Sequence, residues 1–212
     1  MYTAVVSFFQ DGGPFMYPIL LVLAIGLAIA LERWMYLTVT KRNNRKVIAE
    51  LVPLLEKGDF QGAYSTTQSS RAAISKMLAQ GLARLKTATN RDDIETAIEE
   101  SMLEAIPRLE KRTHYLAMFA NIATLLGLLG TIIGLIKAFT AVAQVDPSMK
   151  AEILSSSISV AMNTTAFGLM VAIPLIFIYT ILQTKTTEIV DSLEMATVKS
   201  VNLMMQRRKS GS

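Results

Sequence analysis

The stretch AMNTTAFGLMVAIP, residues 161–174, places three polar side chains inside an apolar run that is long enough to cross a lipid bilayer. The run covers residues 158–183, and a bilayer core needs about 20 mainly apolar residues. Asn163, Thr164 and Thr165 interrupt it without adding a charge. Polar groups at membrane depth need partners other than lipid, so the stretch predicts a spanning helix that packs against other helices.

Two further runs of similar length occur upstream, and the predicted transmembrane helices cover residues 17–37, 114–143 and 158–183. The residues between the first two runs have helical spacing and lack strand alternation. Charged residues make up 18% of the chain, below the roughly 25% of soluble domains. The sequence therefore predicts an all-α integral membrane protein with three transmembrane helices, the second and third of which extend into a helical cytoplasmic region.

The basic residues predict the orientation of the three helices. Residues 1–17 hold no Lys or Arg, whereas basic residues follow the first span at once, precede the second and close the chain: Lys41, Arg42, Arg45, Lys46, Arg108, Lys111, Arg112, Arg207, Arg208 and Lys209. By the positive-inside rule the N-terminus is outside and the C-terminus inside. Segments 1–16 and 144–157 are then periplasmic, and 38–113 and 184–212 cytoplasmic. Trp34 and Tyr36 lie where an inner aromatic belt is expected. The first span is interpreted as a retained anchor, because no basic residue precedes it and no cleavage motif follows.

Three helices are predicted in the cytoplasmic segment. The first carries Val47, Leu51, Leu54 and Leu55 on one face and ends at Gly58-Asp59. The second covers residues 63–85, with Ile74, Leu78, Leu82 and Leu85 on one face. The third begins after Asn90 as N-cap and continues into the second span, so that residues 91–142 form one rod of roughly 78 Å, kinked at Pro107. The acidic residues of 92–104 form either a solvated helix face or a docking surface.

Small and hydroxyl residues form a stripe on each of the last two spans. The stripe on the second span consists of Thr124, Gly127, Thr131, Gly134 and Ala138, and Gly130 adds a Gly-x-x-x-Gly spacing. The stripe on the third span consists of Ser157, Ala161, Thr165, Gly168 and Ala172. Such stripes are typical of helix-packing seams, in which threonines bond back to their own helix. Two consecutive stripes also suit a narrow surface that presents hydroxyls to an ion.

The charged residues near these spans exclude several functions. Between His114 and Leu182 the charges are Lys137, Asp146, Lys150 and Glu152, and none of the acids lies at mid-membrane. Proton relays generally use intramembrane ionisable groups. The chain therefore either conducts nothing or receives a titrating acid from a partner. The absence of cysteine and the single histidine exclude disulfides and predict no metal site or cofactor. The glycines of 127–134 lack the Gly-Lys-Ser/Thr of a phosphate loop, and no enzyme is predicted.

Two motifs resemble a known family. LLGLLGTIIGLIKAF, residues 125–139, is similar to the Gly-rich motif of the ExbB/TolQ/MotA family of ion-driven motor subunits, and TAFGLMVAIP, residues 165–174, is similar to that family's second motif. The Glu32-Arg33 pair and the Gly58-Asp59 turn also match. The resemblance covers nearly the whole chain, and three spans favour the ExbB/TolQ branch.

The resemblance implies a subunit of the bacterial inner membrane that converts the proton motive force into mechanical work. It implies a homopentamer around two copies of a single-span partner that resembles ExbD or TolR and supplies a membrane Asp. A TonB-like or TolA-like protein would carry the work to the outer membrane. The driving ion is H⁺ or Na⁺, and no nucleic acid is involved. TonB-type transport is the expected process, with Tol-type envelope maintenance and motility as alternatives.

The resemblance also assigns residues. The pore threonines of the family correspond to Thr131 and Thr165, whose hydroxyls would accept a hydrogen bond from the protonated partner Asp. Thr124 and Ser157 share their faces, whereas Asn163 and Thr164 are expected to bond across helix seams. The family generally has Glu five residues before the second threonine, and this chain has Val160. Either the second carboxylate is dispensed with, or Ser159 or Asn163 takes part of its role. A scaffold protein with no ion conduction is the alternative from another class, and a small-molecule transporter is less favoured because three spans hold no inverted repeat.

Overall fold

The computed structural model describes residues 8–9, 12–85, 87–88 and 90–210, and the remainder of the predicted terminal segments lies outside the described residues. Its long elements are six helices: α1 (Met16–Lys57), α2 (Phe60–Ser69), α3 (Ala73–Arg84), α4 (Arg91–Glu110), α5 (His114–Val142) and α6 (Lys150–Ser210). No strand occurs in the described part of the chain. The all-α prediction is confirmed.

Three helical stretches are long and apolar enough to cross a membrane: Met16–Lys57, Arg91–Val142 and Lys150–Arg208. They contain the three predicted spans in order. In each case the helical region extends well past the roughly 20 residues that a bilayer core requires. The prediction of a protein with three membrane-spanning helices is therefore confirmed, while the N-out, C-in orientation stays a prediction.

The chain divides into two compact units. The first unit comprises Met1–Glu32 and Arg112–Ile181, and the second comprises Arg33–Lys111 and Leu182–Ser212. In the first unit, α1 packs on α6 where Gly26 faces Leu175: a β-carbon added at Gly26 would lie 2.8 Å from a Leu175 methyl. Its fully buried side chains include Ile19, Leu116 and Ala120.

The second unit has its own apolar core. Fully buried side chains come from every helix of the unit: Leu51, Leu55, Ala63, Ile74, Leu78, Ile94, Ile98, Leu193 and Met204. On α6 the buried positions Leu182, Thr186, Ile189, Leu193, Ala196 and Ser200 recur at intervals of four and three. This is the spacing of a helix that buries one continuous stripe.

The predicted turn at Gly58-Asp59 is confirmed. Gly58 has φ of +76°, and its N–H and that of Asp59 donate to the carbonyls of Leu55 and Leu54 at 3.1 and 3.0 Å. A glycine suits this left-handed position because it has no β-carbon. Asp59 then caps α2, since its Oδ1 accepts the N–H of Gly62 at 2.8 Å.

Two predicted helices are interrupted. The single helix over 63–85 is wrong, because residues 70–72 separate α2 from α3, and Ser70 and Ala72 have extended backbones. Ser70 Oγ accepts the Ala72 N–H at 3.2 Å and so favours the turn over a further helical turn.

The uninterrupted rod over 91–142 is also wrong. Asn90 is the N-cap of α4, and its N–H donates to Asp93 Oδ2 at 3.2 Å. Pro107 lies within α4, and the helix ends three residues later, at Glu110. The break falls at Lys111–Thr113, where Arg112 has φ of +66°, a value that ends an α-helix. The second span therefore begins as a new helix, α5, at His114.

Candidate functional site

The helices α5 and α6 meet along a seam of small residues in the first unit. A β-carbon added at Gly127 would lie 3.2 Å from the Thr165 Cα and 3.3 Å from the Gly168 Cα. A β-carbon added at Gly168 would lie 2.7 Å from the Ala123 carbonyl oxygen. Backbone therefore packs directly on backbone here, which only glycine permits.

The seam continues towards the C-terminal end of α5. A β-carbon at Gly134 would lie 3.0 Å from the Ala161 methyl, and one at Gly130 would overlap the Thr164 methyl. Gly130, Ala161 and Thr164 are buried and Gly134 is half-buried. The predicted small residues Gly127, Gly130, Gly134, Ala161 and Gly168 thus share one interface within a single chain.

Thr165 lies at the edge of the seam, half-buried. Its hydroxyl donates to the Gly127 carbonyl oxygen at 2.9 Å, across the two helices. A threonine hydroxyl has one proton and two lone pairs. Because the proton is used on Gly127, the lone pairs of Thr165 are what an approaching group would meet.

Thr131 is also half-buried, and its hydroxyl donates to Leu128 O on its own helix at 2.6 Å. As in Thr165, the hydroxyl proton is donated to a backbone carbonyl oxygen, and the lone pairs of the hydroxyl oxygen remain available as acceptors. The two threonines are not hydrogen-bonded to each other within one chain.

The other predicted members of the two stripes differ in exposure. Thr124 is exposed and donates to Ala120 O at 3.2 Å. Ser157 is half-buried, whereas Ala138 and Ala172 are buried.

Thr164 faces a different neighbour from Thr165. It is 2% exposed, and its hydroxyl lies 2.6 Å from the Gly12 carbonyl oxygen and 3.0 Å from Val160 O. Phe9 packs edge-on against Phe167, with ring centres 5.8 Å apart. The segment that precedes α1 therefore packs along α6 in the first unit.

Val160 stands where the family generally has Glu, and the polar residues near it differ in burial. Val160 lies next to this same segment, because a β-carbon at Gly13 would lie 3.3 Å from a Val160 methyl. Ser159 is exposed and Asn163 half-buried. Of the three auxiliary polar residues, Thr164 alone is buried.

Sequence reasoning missed two members of this site. Ala123 stands four residues before Gly127, so helical spacing from the glycines could have identified it. Gly12 could not have been found that way, because its bond to Thr164 joins positions 152 residues apart. No local pattern marks such a contact.

Trp34 and Tyr36, the aromatic residues of the predicted belt, each contact a cationic side chain within the second unit. Lys185 Nζ lies 4.2 Å from the centre of the Trp34 ring and donates to Thr38 Oγ1 at 2.6 Å. The Arg33 guanidinium lies 4.8 Å from the centre of the Tyr36 ring. Cations over aromatic faces are attracted by the ring quadrupole.

One ion pair of the second unit perturbs a carboxyl group. Lys41 Nζ lies 2.5 Å from Glu188 Oε2. The hydrogen bond and the charge of Lys41 hold the pKa of Glu188 below its ordinary value. Glu188 is therefore ionised at neutral pH, and the pair joins α1 to α6.

Glu32 and Arg33 are adjacent in sequence but bind different partners. Arg33 is 3% exposed, and its guanidinium donates to the Leu109 carbonyl oxygen near the end of α4. Glu32 accepts from Arg112 Nη1 at 3.1 Å within the first unit. Arg112 is also the residue with the left-handed backbone, so this ion pair joins the residues just before α5 to α1.

These features define a helical membrane protein in which two spanning helices pack through small residues and present threonine hydroxyls at the edge. Residues 69–195, more than half of the chain, match the MotA/TolQ/ExbB proton channel family, and the chain belongs to this family. It is a family of channel and transport subunits rather than of enzymes. The protein is thus a membrane subunit of the ion-driven motor type.

Individual relatives carry ExbB names. A protein of Methanothermobacter thermautotrophicus, named as a homolog of the biopolymer transport protein ExbB, is 28% identical over 90% of this chain and 67% of its own length. An ExbB-like protein of Synechocystis sp. is 28% identical over 82% of this chain and 68% of its own. The biopolymer transport protein exbB1 of Vibrio cholerae is 46% identical over 59 residues, which are 28% of this chain and 26% of its own.

Proposed function

We propose that this chain forms the channel wall of a motor complex that converts an ion gradient into mechanical work on the cell envelope. The observation that carries the proposal is the Thr165 hydroxyl, bonded to Gly127 O at the edge of the α5–α6 seam. A partner with one membrane span would supply the acid that the predicted second and third spans, 114–143 and 158–183, lack. The threonines of this chain would then stabilise the protonated form of that acid.

The direction of the hydrogen bonds supports this role. Thr165 and Thr131 both spend their hydroxyl protons on backbone carbonyls. Their lone pairs can accept from a neutral carboxylic acid, or help to hold a cation, but they do not offer a donor to a carboxylate. They therefore favour the protonated form of a partner Asp, which suits a proton acceptor at membrane depth.

The assembly and the ion are proposed from the resemblance to the family. We propose a homopentamer whose second and third spans surround two copies of an ExbD-like or TolR-like chain in a bacterial inner membrane. Exposed apolar side chains cover α5 on the faces away from the seam, among them Leu125, Leu128, Ile132 and Ile136. Such faces suit neighbouring subunits or lipid. Protons are the expected ion, since hydroxyl lone pairs and one acid suffice for their transfer, and Na⁺ is the alternative.

The process served is proposed from the relatives. Because they are named as ExbB or ExbB-like biopolymer transport proteins, TonB-type transport across the outer membrane is favoured. Tol-type envelope maintenance and surface motility use the same mechanical principle. Deletion of the gene, followed by uptake assays and detergent-sensitivity assays, distinguishes these processes.

The mechanism is tested by ion uptake into vesicles that contain this chain and its single-span partner. Thr165→Val and Thr131→Val remove the lone pairs with little change in volume. Thr140→Val is the matched control, because Thr140 also bonds back to its own helix, to Ile136 O at 2.8 Å, but is exposed outside the predicted stripes. We expect uptake to fall about tenfold or more in the first two variants and not in the control. Unchanged uptake in both would refute the channel role of the threonines.

The competing function is a membrane scaffold, which the close packing of Gly127 and Gly168 also supports. A scaffold requires the seam but not the hydroxyls. Gly130→Leu and Gly134→Leu should then disrupt the oligomer, while the threonine variants remain normal in every assay. Ion uptake that requires both this chain and the partner would exclude the scaffold.

A further inference from the structure

The second unit contains an open cavity of about 850 Å³, distinct from the α5–α6 seam. Its walls come from α1, α2, α3 and α4 and from the turn between α2 and α3. A volume of this size is in the range of ligand sites in proteins.

Positive charge dominates the cavity. Arg71, Lys76 and Arg108 line it, and among the described residues Glu104 is the one acid in its wall. All three cations are exposed, and none takes part in a salt bridge with the described residues. An anion entering the cavity would meet unpaired cationic groups rather than displace a carboxylate.

The N-terminal end of α3 adds to the positive potential in the cavity. Ala72 is the N-cap of α3 and provides no side-chain hydrogen bond to the first turn. Ser70, Ala72 and Ala73, around this helix start, line the cavity. The N-terminal end of a 12-residue helix carries partial positive charge and is suited to bind phosphate.

Asn44 provides an independent indication of a ligand. It lines the cavity, is 3% exposed, and its Oδ1 accepts the Ile74 N–H at 3.4 Å. That bond fixes the amide so that Nδ2 is the remaining donor, and Nδ2 is buried without an acceptor among the described residues. A buried donor left unpaired is unfavourable, so this site is suited to an oxygen ligand.

One wall of the cavity is apolar. Met35, Tyr36 and Val39 line it, and Met35 and Val39 are 62% and 56% exposed. Met35 and Tyr36 belong to the end of the predicted first span, 17–37. A ligand that fills the cavity would therefore combine an anionic group with an apolar part that reaches the membrane.

We propose that this cavity binds the head group of an anionic phospholipid. Arg71, Lys76 and the start of α3 hold the phosphate, Arg108 neutralises further negative charge, and Asn44 Nδ2 donates to a head-group oxygen. The acyl chains leave past Met35 and Val39. The proposal is independent of the ion path, because no residue of the α5–α6 seam takes part.

The test measures the affinity of the purified full-length chain, in detergent, for short-chain phosphatidylglycerol. Arg71→Gln combined with Lys76→Gln is the main variant, and Arg108→Gln is a second. Arg42→Gln combined with Arg45→Gln is the matched control, since both residues are exposed cations of α1 outside the cavity wall. We expect a loss of affinity of about tenfold or more in the cavity variants and less than about twofold in the control.

Asn44→Asp tests the buried amide. It keeps an oxygen for the Ile74 N–H and replaces the donor by a negative charge, so we expect binding to be lost. If this variant does not fold, the exposed-cation variants alone decide the outcome.

Two comparison ligands identify the source of the phosphate. Phosphatidylcholine, which carries no net negative charge, should bind about tenfold more weakly than phosphatidylglycerol. Glycerol phosphate, which lacks the chains, should bind weakly as well. Equal affinities for the two lipids, equal affinity for glycerol phosphate, or an undiminished affinity in the cavity variants would each overturn the proposal.

Discussion

The hydroxyl of Thr165 donates to the carbonyl oxygen of Gly127 at 2.9 Å and so ties α6 to α5 across 38 positions of sequence. The bond is possible because Gly127 has no side chain: a β-carbon there would lie 3.2 Å from the Thr165 Cα. The same glycine thus permits the close approach and supplies the acceptor. The packing of the two helices and the proposed channel role thus depend on the same pair of residues.

Gly168→Ala should destabilise the first unit. The new methyl group would lie 2.7 Å from the Ala123 carbonyl oxygen and 3.1 Å from the Gly127 Cα, so the helix backbones must separate. We expect a loss of about 1–3 kcal/mol in unfolding free energy, measured by thermal melting in detergent. Gly81→Ala is the control, because its methyl group would meet side-chain atoms of Ile98, at 2.6 and 2.7 Å, rather than backbone. A larger loss at Gly81 than at Gly168 would contradict backbone contact as the cause.

Thr164→Val should release the segment before α1. Valine has the shape of threonine but cannot donate to Gly12 O, and that carbonyl then lacks the partner it has at 2.6 Å. We expect a stability loss of about 1–2 kcal/mol and faster amide exchange in residues 12–15. Thr186→Val is the control, because Thr186 is matched in burial and its hydroxyl donates to Leu182 O of its own helix at 3.0 Å. Exchange in residues 12–15 should not change in that variant.

Arg33→Met should destabilise the second unit. Arg33 is nearly buried and its guanidinium donates to Leu109 O, which would be left without this partner. The methionine fills similar apolar volume, so the loss reports the hydrogen bond and the contact with Tyr36. We expect about 1–3 kcal/mol by chemical denaturation. Arg42→Met, at an exposed position of the same helix, should have an effect below about 0.5 kcal/mol.

Ser75→Ala should leave the free energy of unfolding unchanged or raise it, in contrast to the variants above. Ser75 is fully buried, and its hydroxyl has no hydrogen-bond partner among the described residues. Removing an unsatisfied hydroxyl is neutral or stabilising, by up to about 1 kcal/mol. Thermal melting of the variant checks this, and a clear loss of stability would show that the hydroxyl has a partner.

Acid should weaken the link between α1 and α6. The pKa of Glu188 lies below its ordinary value of 4.5 because of Lys41, so the folded chain binds this proton more weakly than the unfolded chain. The stabilisation is present above the ordinary pKa and is lost as the pH falls through the lowered value. The melting temperatures of the wild type and of Lys41→Met should therefore differ near neutral pH and converge in acid. Arg45→Met, which removes an exposed α1 cation without an ion pair among the described residues, should show no such convergence.

The amino-acid sequence by itself determined the class of fold and the family. Long apolar runs indicate spanning helices, because the bilayer thickness sets their length, and the Gly58 turn follows from local backbone preference. Both are local properties. The motifs of 125–139 and 165–174 likewise pointed to the family to which residues 69–195 belong. The pore role of Thr131 and Thr165 stays a prediction.

Tertiary structure decided what local patterns could not. The turn at residues 70–72 and the break at Lys111–Thr113 interrupt segments whose composition favours continuous helix. The partners of Thr164, Arg33 and Asn44 lie 152, 76 and 30 positions away. Helical periodicity identifies which residues share a face, but not which distant backbone group that face will meet. Such pairings are set by how the helices pack, and they include the close approach at Gly127 and the open cavity beside Asn44.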